Sequence, residues 1–71
     1  MSEVRAEMVA TIQAVSVVEG AQVVEGDTLL VLESMKMEIP VLAEAGGTVT
    51  SLPVGAGAVV QEGDLLAVLT P

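Results

Sequence analysis

The sequence predicts an all-β fold: eight short strands closed into a barrel or sandwich and built from two copies of one unit. Three observations predict it. Residues 9–32 laid over residues 46–69, an offset of 37 without a gap, match at Val17/Val54, Gly20/Gly57, Ala21/Ala58 and Val23/Val60. The match continues as Glu25-Gly26-Asp27 over Glu62-Gly63-Asp64, each followed by the same Leu-x-Val-Leu run. Two copies are too few for a solenoid, so they must pack on each other as a pseudo-twofold pair. Within each copy, Gly and an acidic residue punctuate β-branched runs, the pattern of short strands joined by turns. The chain is 52% hydrophobic yet has no Phe, Tyr or Trp, so its core is one of Val, Leu, Ile and Ala.

The elements follow in order. Val4, Ala6, Met8, Ala10 and Ile12 alternate with polar neighbours, apart from Val9, which predicts a half-buried strand over 4–13. Strands over 15–18, 22–24 and 28–33 complete the first half, with turns at Glu19-Gly20 and Glu25 to Asp27. The Leu, Met, Lys and Glu of residues 32–38 are good helix formers. However, the run before them recurs at 66–69 as the last apolar run of the chain, and Pro40 afterwards forbids an uninterrupted helix and marks an edge strand. A tight hairpin through Met35-Lys36 is therefore predicted. Strands over 38–43, 47–54, 58–60 and 65–69 follow, with turns at Gly46-Gly47, Gly55 to Gly57 and Glu62 to Asp64. Val31 and Val68, repeat equivalents flanked by apolar residues on both sides, are expected to fill the two halves of the core.

Composition removes most classes of function. A chain of 71 residues fills one core, so residues 1–71 are expected to form a single domain, and a monomer. A net charge of −8, with Arg5 and Lys36 the only basic residues, opposes binding to nucleic acid or to an anionic membrane. Without Cys or His there is no disulfide, zinc site, thiol nucleophile or imidazole base. Met1-Ser2-Glu3 does not begin a signal sequence, and no apolar run approaches the ~18 residues of a membrane span, so a cytoplasmic location is expected. Gly46-Gly47 and Gly55-Ala56-Gly57 precede no helix and lack a Gly-Lys-Ser/Thr ending, so they are turns rather than phosphate loops. Glu25 with Asp27 and Glu62 with Asp64 could be paired carboxylates, but their duplication at equivalent turns assigns them to turn structure, and no metal is expected.

Lys36 is the single lysine, in the segment that the repeat leaves unmatched. A two-residue hairpin favours turns with φ > 0, which Asn-Gly adopts cheaply and Met-Lys does not. Costly backbone at such a point suggests that the side chain itself is needed. Glu33-Ser34-Met35-Lys36-Met37 resembles the Glu-Ala-Met-Lys-Met signature of the biotinyl domain, the lysine-bearing carrier unit of biotin-dependent carboxylases. The Gly-x-x-Val-x-x-Gly-Asp spacing of that family is similar to Gly20–Asp27 and again to Gly57–Asp64, so the resemblance covers about residues 4–70. Ser34 replaces the usual Ala, Glu7 stands where the family often has Pro, and Ala10 where it often has Gly.

The resemblance implies a flattened barrel-sandwich hybrid fold. It also implies a carrier rather than an enzyme, similar to a free-standing biotin/lipoyl attachment domain with neither a protruding thumb nor a Pro/Ala-rich hinge. A biotin protein ligase would form biotinyl-adenylate, and the Lys36 amine would attack its carbonyl. The attached biotin would then act as a swinging arm, carrying carboxylate from a biotin carboxylase to a carboxyltransferase. Lipoyl domains share the fold, but their lysine usually sits in an Asp-Lys-Ala context, so Met35 and Met37 favour biotin over lipoate. Met35 and Met37 are candidates for recognition by the ligase, with core packing as the rival role. Glu33 and Glu38, facing each other across the hairpin, are candidates for partner recognition, with simple solvation as the rival. A lipoyl carrier and a noncovalent interaction module are the alternative functions.

Overall fold

The computed structural model describes residues 1–71. It contains no helix, and so none long and apolar enough to cross a membrane. The strands are β1 (Ser2–Arg5), β2 (Ala10–Val15), β3 (Gln22–Val23), β4 (Thr28–Ser34), β5 (Met37–Leu42), β6 (Gly47–Ser51), β7 (Val59–Val60) and β8 (Leu65–Thr70). They form two antiparallel four-stranded sheets, ordered β1-β8-β6-β3 and β5-β4-β2-β7, which face each other as a flattened barrel-sandwich.

Exchanging β1–β4 for β5–β8 turns one sheet order into the other, so the predicted pseudo-twofold holds for the whole fold. It also reaches further back than residue 9. At the same offset of 37, Val4 matches Val41, Ala6 matches Ala43 and Glu7 matches Glu44, which makes β1 the counterpart of β5. Each half lends strands to the other's sheet. The β3 segment of the first half pairs with β6 of the second, while β7 of the second pairs with β2 of the first. Equivalent bonds extend both junctions: Gly20 N–H donates to Val49 O at 2.7 Å, and Gly57 N–H donates to Ile12 O at 2.7 Å.

Three predicted strands are corrected. The strand expected over 4–13 is two strands in different sheets, because the chain crosses the sandwich between Ala6 and Ala10. Ala6 bonds to the turn at Gly63-Asp64, and Met8 and Val9, on the crossing, are exposed rather than alternating inward and outward. The second half crosses at the equivalent place, where Gly46-Gly47 advertises the bend. In the first half the same positions are Val9-Ala10, with no glycine to mark the bend. No strand forms over 15–18. Val15 ends β2, and Ser16 N–H donates to Leu29 O at 2.9 Å before the chain turns at Glu19-Gly20. The strand expected over 47–54 likewise stops at Ser51, ahead of Pro53, which has no N–H to give a ladder.

The core is formed by Ile12, Leu29, Leu30, Leu32, Val49, Leu66 and Leu69 with smaller neighbours, all nearly inaccessible. Val31 and Val68 are only half-buried and lie outside it, which corrects the expected core. The cause is a matched pair of β-bulges. The register between β4 and β5 shifts at Leu29, and that between β1 and β8 shifts at Leu66. A bulge places two successive residues on one face. Leu29 and Leu30 therefore both point inward, the parity of the strand is reset, and Leu32 rather than Val31 faces the core. Val31 instead sits between Ala14 and Pro40 across the sheet.

The repeated turns have a repeated lock. Asp27 Oδ2 accepts the N–H of Val24 at 2.9 Å and Asp64 Oδ2 accepts that of Gln61 at 2.8 Å, with Gly26 and Gly63 at φ 93° and 91°. Asp27 and Asp64 thus fill the turn-structuring role expected of the two acidic pairs, while Glu25 and Glu62 take no part in the lock.

Truncation should follow the observed core. Leu29→Ala and Leu66→Ala should each cost about 2–5 kcal/mol, and Val31→Ala clearly less, as read from urea denaturation midpoints. Because the halves exchange strands, every variant should unfold in one transition by circular dichroism, and two separated transitions would refute the interlock.

Candidate functional site

The β4–β5 hairpin is the longest ladder in the molecule and holds the sequence-predicted site. Its inner rung, Leu32 opposite Ile39, is anchored in the core, since Leu32 is 3% exposed and Ile39 packs against the cluster. Glu33 lies opposite Glu38 on the next rung, and Ser34 opposite Met37 closes the turn. Only Met35 and Lys36 remain for the loop, and both have left-handed backbone, at φ 54° and 63°. These are the only residues other than glycine with positive φ in the chain, and they are adjacent. A type I′ turn requires this geometry at both central positions.

Pro40 fits the same register. In a two-residue hairpin the closing pair is hydrogen-bonded and the pairs alternate from there, so Val31 opposite Pro40 is a non-bonded pair. The missing N–H of Pro40 therefore faces the free edge of β5, where it removes no ladder bond and blunts the edge against pairing.

All five residues singled out from the sequence come together at this tip. Lys36 is exposed and joins no ion pair, as the single salt bridge is Arg5 to Glu3 at 3.0 Å. Met35 is 92% exposed and Met37 is 64% exposed, and neither belongs to the core, so the packing role weighed for them is excluded. The tip is thus a primary amine between two solvent-facing thioethers, set above two exposed, directly opposed carboxylates.

The register adds residues that sequence reasoning missed. Thr11 pairs with Glu33 on one side and with Val59 on the other, so Glu38, Glu33, Thr11 and Val59 form a row across the outer face of the sheet. All four are exposed, and Val59 is 64% so. Their separation in the chain hides this row. The largest cleft, about 910 Å³, lies along the seam between β1 and β5 and includes none of residues 33–38. The amine is displayed to solvent, outside any pocket.

The family model described as biotin-requiring enzyme, biotin/lipoyl, matches residues 2–69. A biotinylated protein TB7.3 homolog of Mycolicibacterium smegmatis is 68% identical over 41 residues, and one of Mycobacterium leprae is 60% identical over 45 residues. These matches span 58% and 63% of this chain and the same shares of the relatives, less than two thirds of their length. Among solved structures, a single-chain, multi-domain long-chain acyl-CoA carboxylase aligns with TM-score 0.86 and 35% identity, over 93% of this chain and 7% of that one. The urea carboxylase of Kluyveromyces lactis aligns with TM-score 0.89 and 29% identity, over 97% of this chain and 6% of that one. The lipoyl domain of the 2-oxoglutarate dehydrogenase complex of Azotobacter vinelandii aligns with TM-score 0.85 and 25% identity, over 97% and 95% of the two chains.

The left-handed turn should be measurable as stored strain. Replacing Met35 and Lys36 together by Asn and Gly should raise stability by about 1 kcal/mol, because both new residues tolerate φ > 0. Lys36→Ala keeps the strain and removes only exposed atoms, so it should change stability by less than about 0.5 kcal/mol. Denaturant midpoints of the two variants against the parent protein check both values.

Proposed function

Since the chain belongs to the biotin/lipoyl attachment family, we propose that it is a covalent biotin carrier, modified at Lys36 by a biotin protein ligase. The observation that carries this reading is the tip itself. The only lysine of the chain is held at φ 63° on a two-residue turn, where glycine would be cheaper, and its amine is unpaired and exposed. Strain retained at an exposed point, with no packing gained from it, favours a demand on the side chain itself.

The residues fit the group. An acyl-adenylate bound in a ligase can be attacked only by an amine that reaches it, and Lys36 projects from a ladder anchored at Leu32. The Lys36 nitrogen gives its lone pair to the activated carbonyl, an amide bond forms, AMP leaves, and the amine proton passes to solvent or to a ligase base. Biotin, once attached, accepts and releases carboxylate. The chain's own contribution is presentation on a rigid support while separate enzymes do the chemistry. Those partners are a biotin carboxylase and a carboxyltransferase, consistent with the two carboxylases in which this fold recurs. A monomer acting in the cytoplasm, where ligase and carboxylase would be met, completes the reading.

Met35 and Met37 present a soft, adaptable apolar surface to the ligase, a use that their exposure favours. Glu33 and Glu38 supply a local negative field for a basic partner surface. Directly opposed like charges cost up to about 1 kcal/mol in a sheet, and recognition accounts for their retention. The second reading is lipoylation, supported by the 2-oxoglutarate dehydrogenase lipoyl domain. Biotin is preferred because the relatives with the higher identity are named as biotinylated proteins.

Intact mass after coexpression with a biotin ligase should show one biotin adduct, and Lys36→Ala should show none. Trypsin should then cut after Arg5 but no longer after Lys36. Protein taken from its native source should carry the same adduct, whereas a lipoyl mass there would replace biotin with lipoate and leave the carrier reading standing. An unmodified chain in both experiments would favour the noncovalent interaction module.

A further inference from the structure

The four methionines of the chain differ sharply in accessibility, and none lies in the core. Met8, on the crossing between sheets, is 38% exposed, and Met1, just ahead of β1, is 82% exposed. The remaining two flank the acceptor lysine at 92% and 64% exposure. Their accessibility follows from the turn: Met35 occupies a central position of a two-residue loop, and Met37 closes it opposite Ser34. A core methionine is shielded from oxidants, and its oxidation disrupts packing. Met35 and Met37 have neither protection nor a packing role. Their oxidation can change the surface around Lys36 and leave the fold intact.

We infer that Met35 and Met37 form an oxidation site that gates acylation of Lys36, with peroxide as the oxidant. The inference rests on the carrier reading above. In the reaction the thioether sulfur attacks one peroxide oxygen, a sulfur–oxygen bond forms and the oxygen–oxygen bond breaks. Sulfur loses two electrons, and the second oxygen takes the proton given up by the first and leaves as water. The product is a sulfoxide, a strong hydrogen-bond acceptor where the ligase would otherwise meet an apolar, polarizable side chain. Two sulfoxides beside the amine turn an apolar collar into a polar one. The change is reversible, because methionine sulfoxide reductases restore the thioether. Leu32 and Ile39, which anchor the hairpin from the inside, present no oxidisable atom.

The test uses the unbiotinylated full chain, treated with hydrogen peroxide and repurified so that the ligase never meets the oxidant. Peptide mass mapping should find sulfoxide at Met35 and Met37 ahead of Met8. Labelling by a purified biotin protein ligase with ATP and biotin should fall about tenfold, the scale of a polar-for-apolar change in a binding contact. The thermal midpoint should be unchanged. Treatment with sulfoxide reductases should restore the rate, and a Met35→Gln/Met37→Gln variant should label slowly without any oxidant. An oxidised chain labelled at the parent rate would overturn the inference, as would a lost rate accompanied by a lowered midpoint. Failure of the carrier reading looks different, since the untreated chain would then not be labelled at Lys36 at all.

Discussion

Neither half of this chain can bury its own apolar residues, and everything else in the structure depends on how the two halves exchange strands to do so. With no aromatic side chain to fill volume, the interior must be closed by aliphatic residues drawn from both repeats. The bonds from Gly20 to Val49 and from Gly57 to Ile12 hold the backbone of each repeat against the other's second strand. A short strand of two residues, such as β3 or β7, has no stability alone and persists because it completes the partner repeat's sheet. The twofold is therefore the condition for having a core in a chain this small, rather than a decoration on the fold.

That core positions the tip through parity. The bulge at Leu29 resets which side of β4 faces inward, and the reset directs Leu32 into the core and Glu33 out to the surface. Two residues later the ladder closes on Met35 and Lys36. A strand without the bulge would invert every residue after it, placing Glu33 inside and Leu32 outside. The bulge opposite β1 does the same at Leu66, so the device belongs to the repeat and not to the site. What belongs to the site alone is the turn: the counterpart of Leu32 opposite Ile39 is Leu69 opposite Ser2, and there β8 and β1 meet without a connecting loop.

Much of this was legible in the sequence because it rests on local signals. The Glu-Gly-Asp turns, the edge proline and the poor fit of Met-Lys to a two-residue hairpin all act within a few residues, and each is found where it was expected. Apart from the strand over 47–54, which a local signal at Pro53 cuts short, the failures share one cause, which is dependence on long-range register. The crossing between Ala6 and Ala10 is hidden because Ala10 replaces the glycine that marks the equivalent bend at Gly47. The one break in the alternation, Val9, is its only local trace. Val31 and Val68 read as core residues in the sequence because a bulge leaves no mark on composition. The repeat at Val4/Val41, Ala6/Ala43 and Glu7/Glu44 was readable and would have identified β1 with β5. The row from Glu38 to Val59 was not readable, because three strand pairings must be known before those residues become neighbours.

The distribution of strain and apolar exposure separates two demands on one small chain. Packing governs the inner face up to Leu32 and Ile39, where the inward side chains are buried and each repeat obeys the other's geometry. Beyond that rung packing asks for nothing, and an unconstrained hairpin would settle on a soluble, relaxed turn such as Asn-Gly flanked by opposite charges. The observed turn does the reverse on every count: left-handed Met and Lys, two exposed thioethers and two opposed glutamates. The opposed charges cost up to about 1 kcal/mol and each left-handed residue of the order of 1–3 kcal/mol, and neither cost is recovered inside the protein. A set of unfavourable choices gathered on six consecutive residues, from Glu33 to Glu38, and supported by a well-packed base finds no compensation within the chain, which is why the proposed function looks for it in a partner surface at the tip.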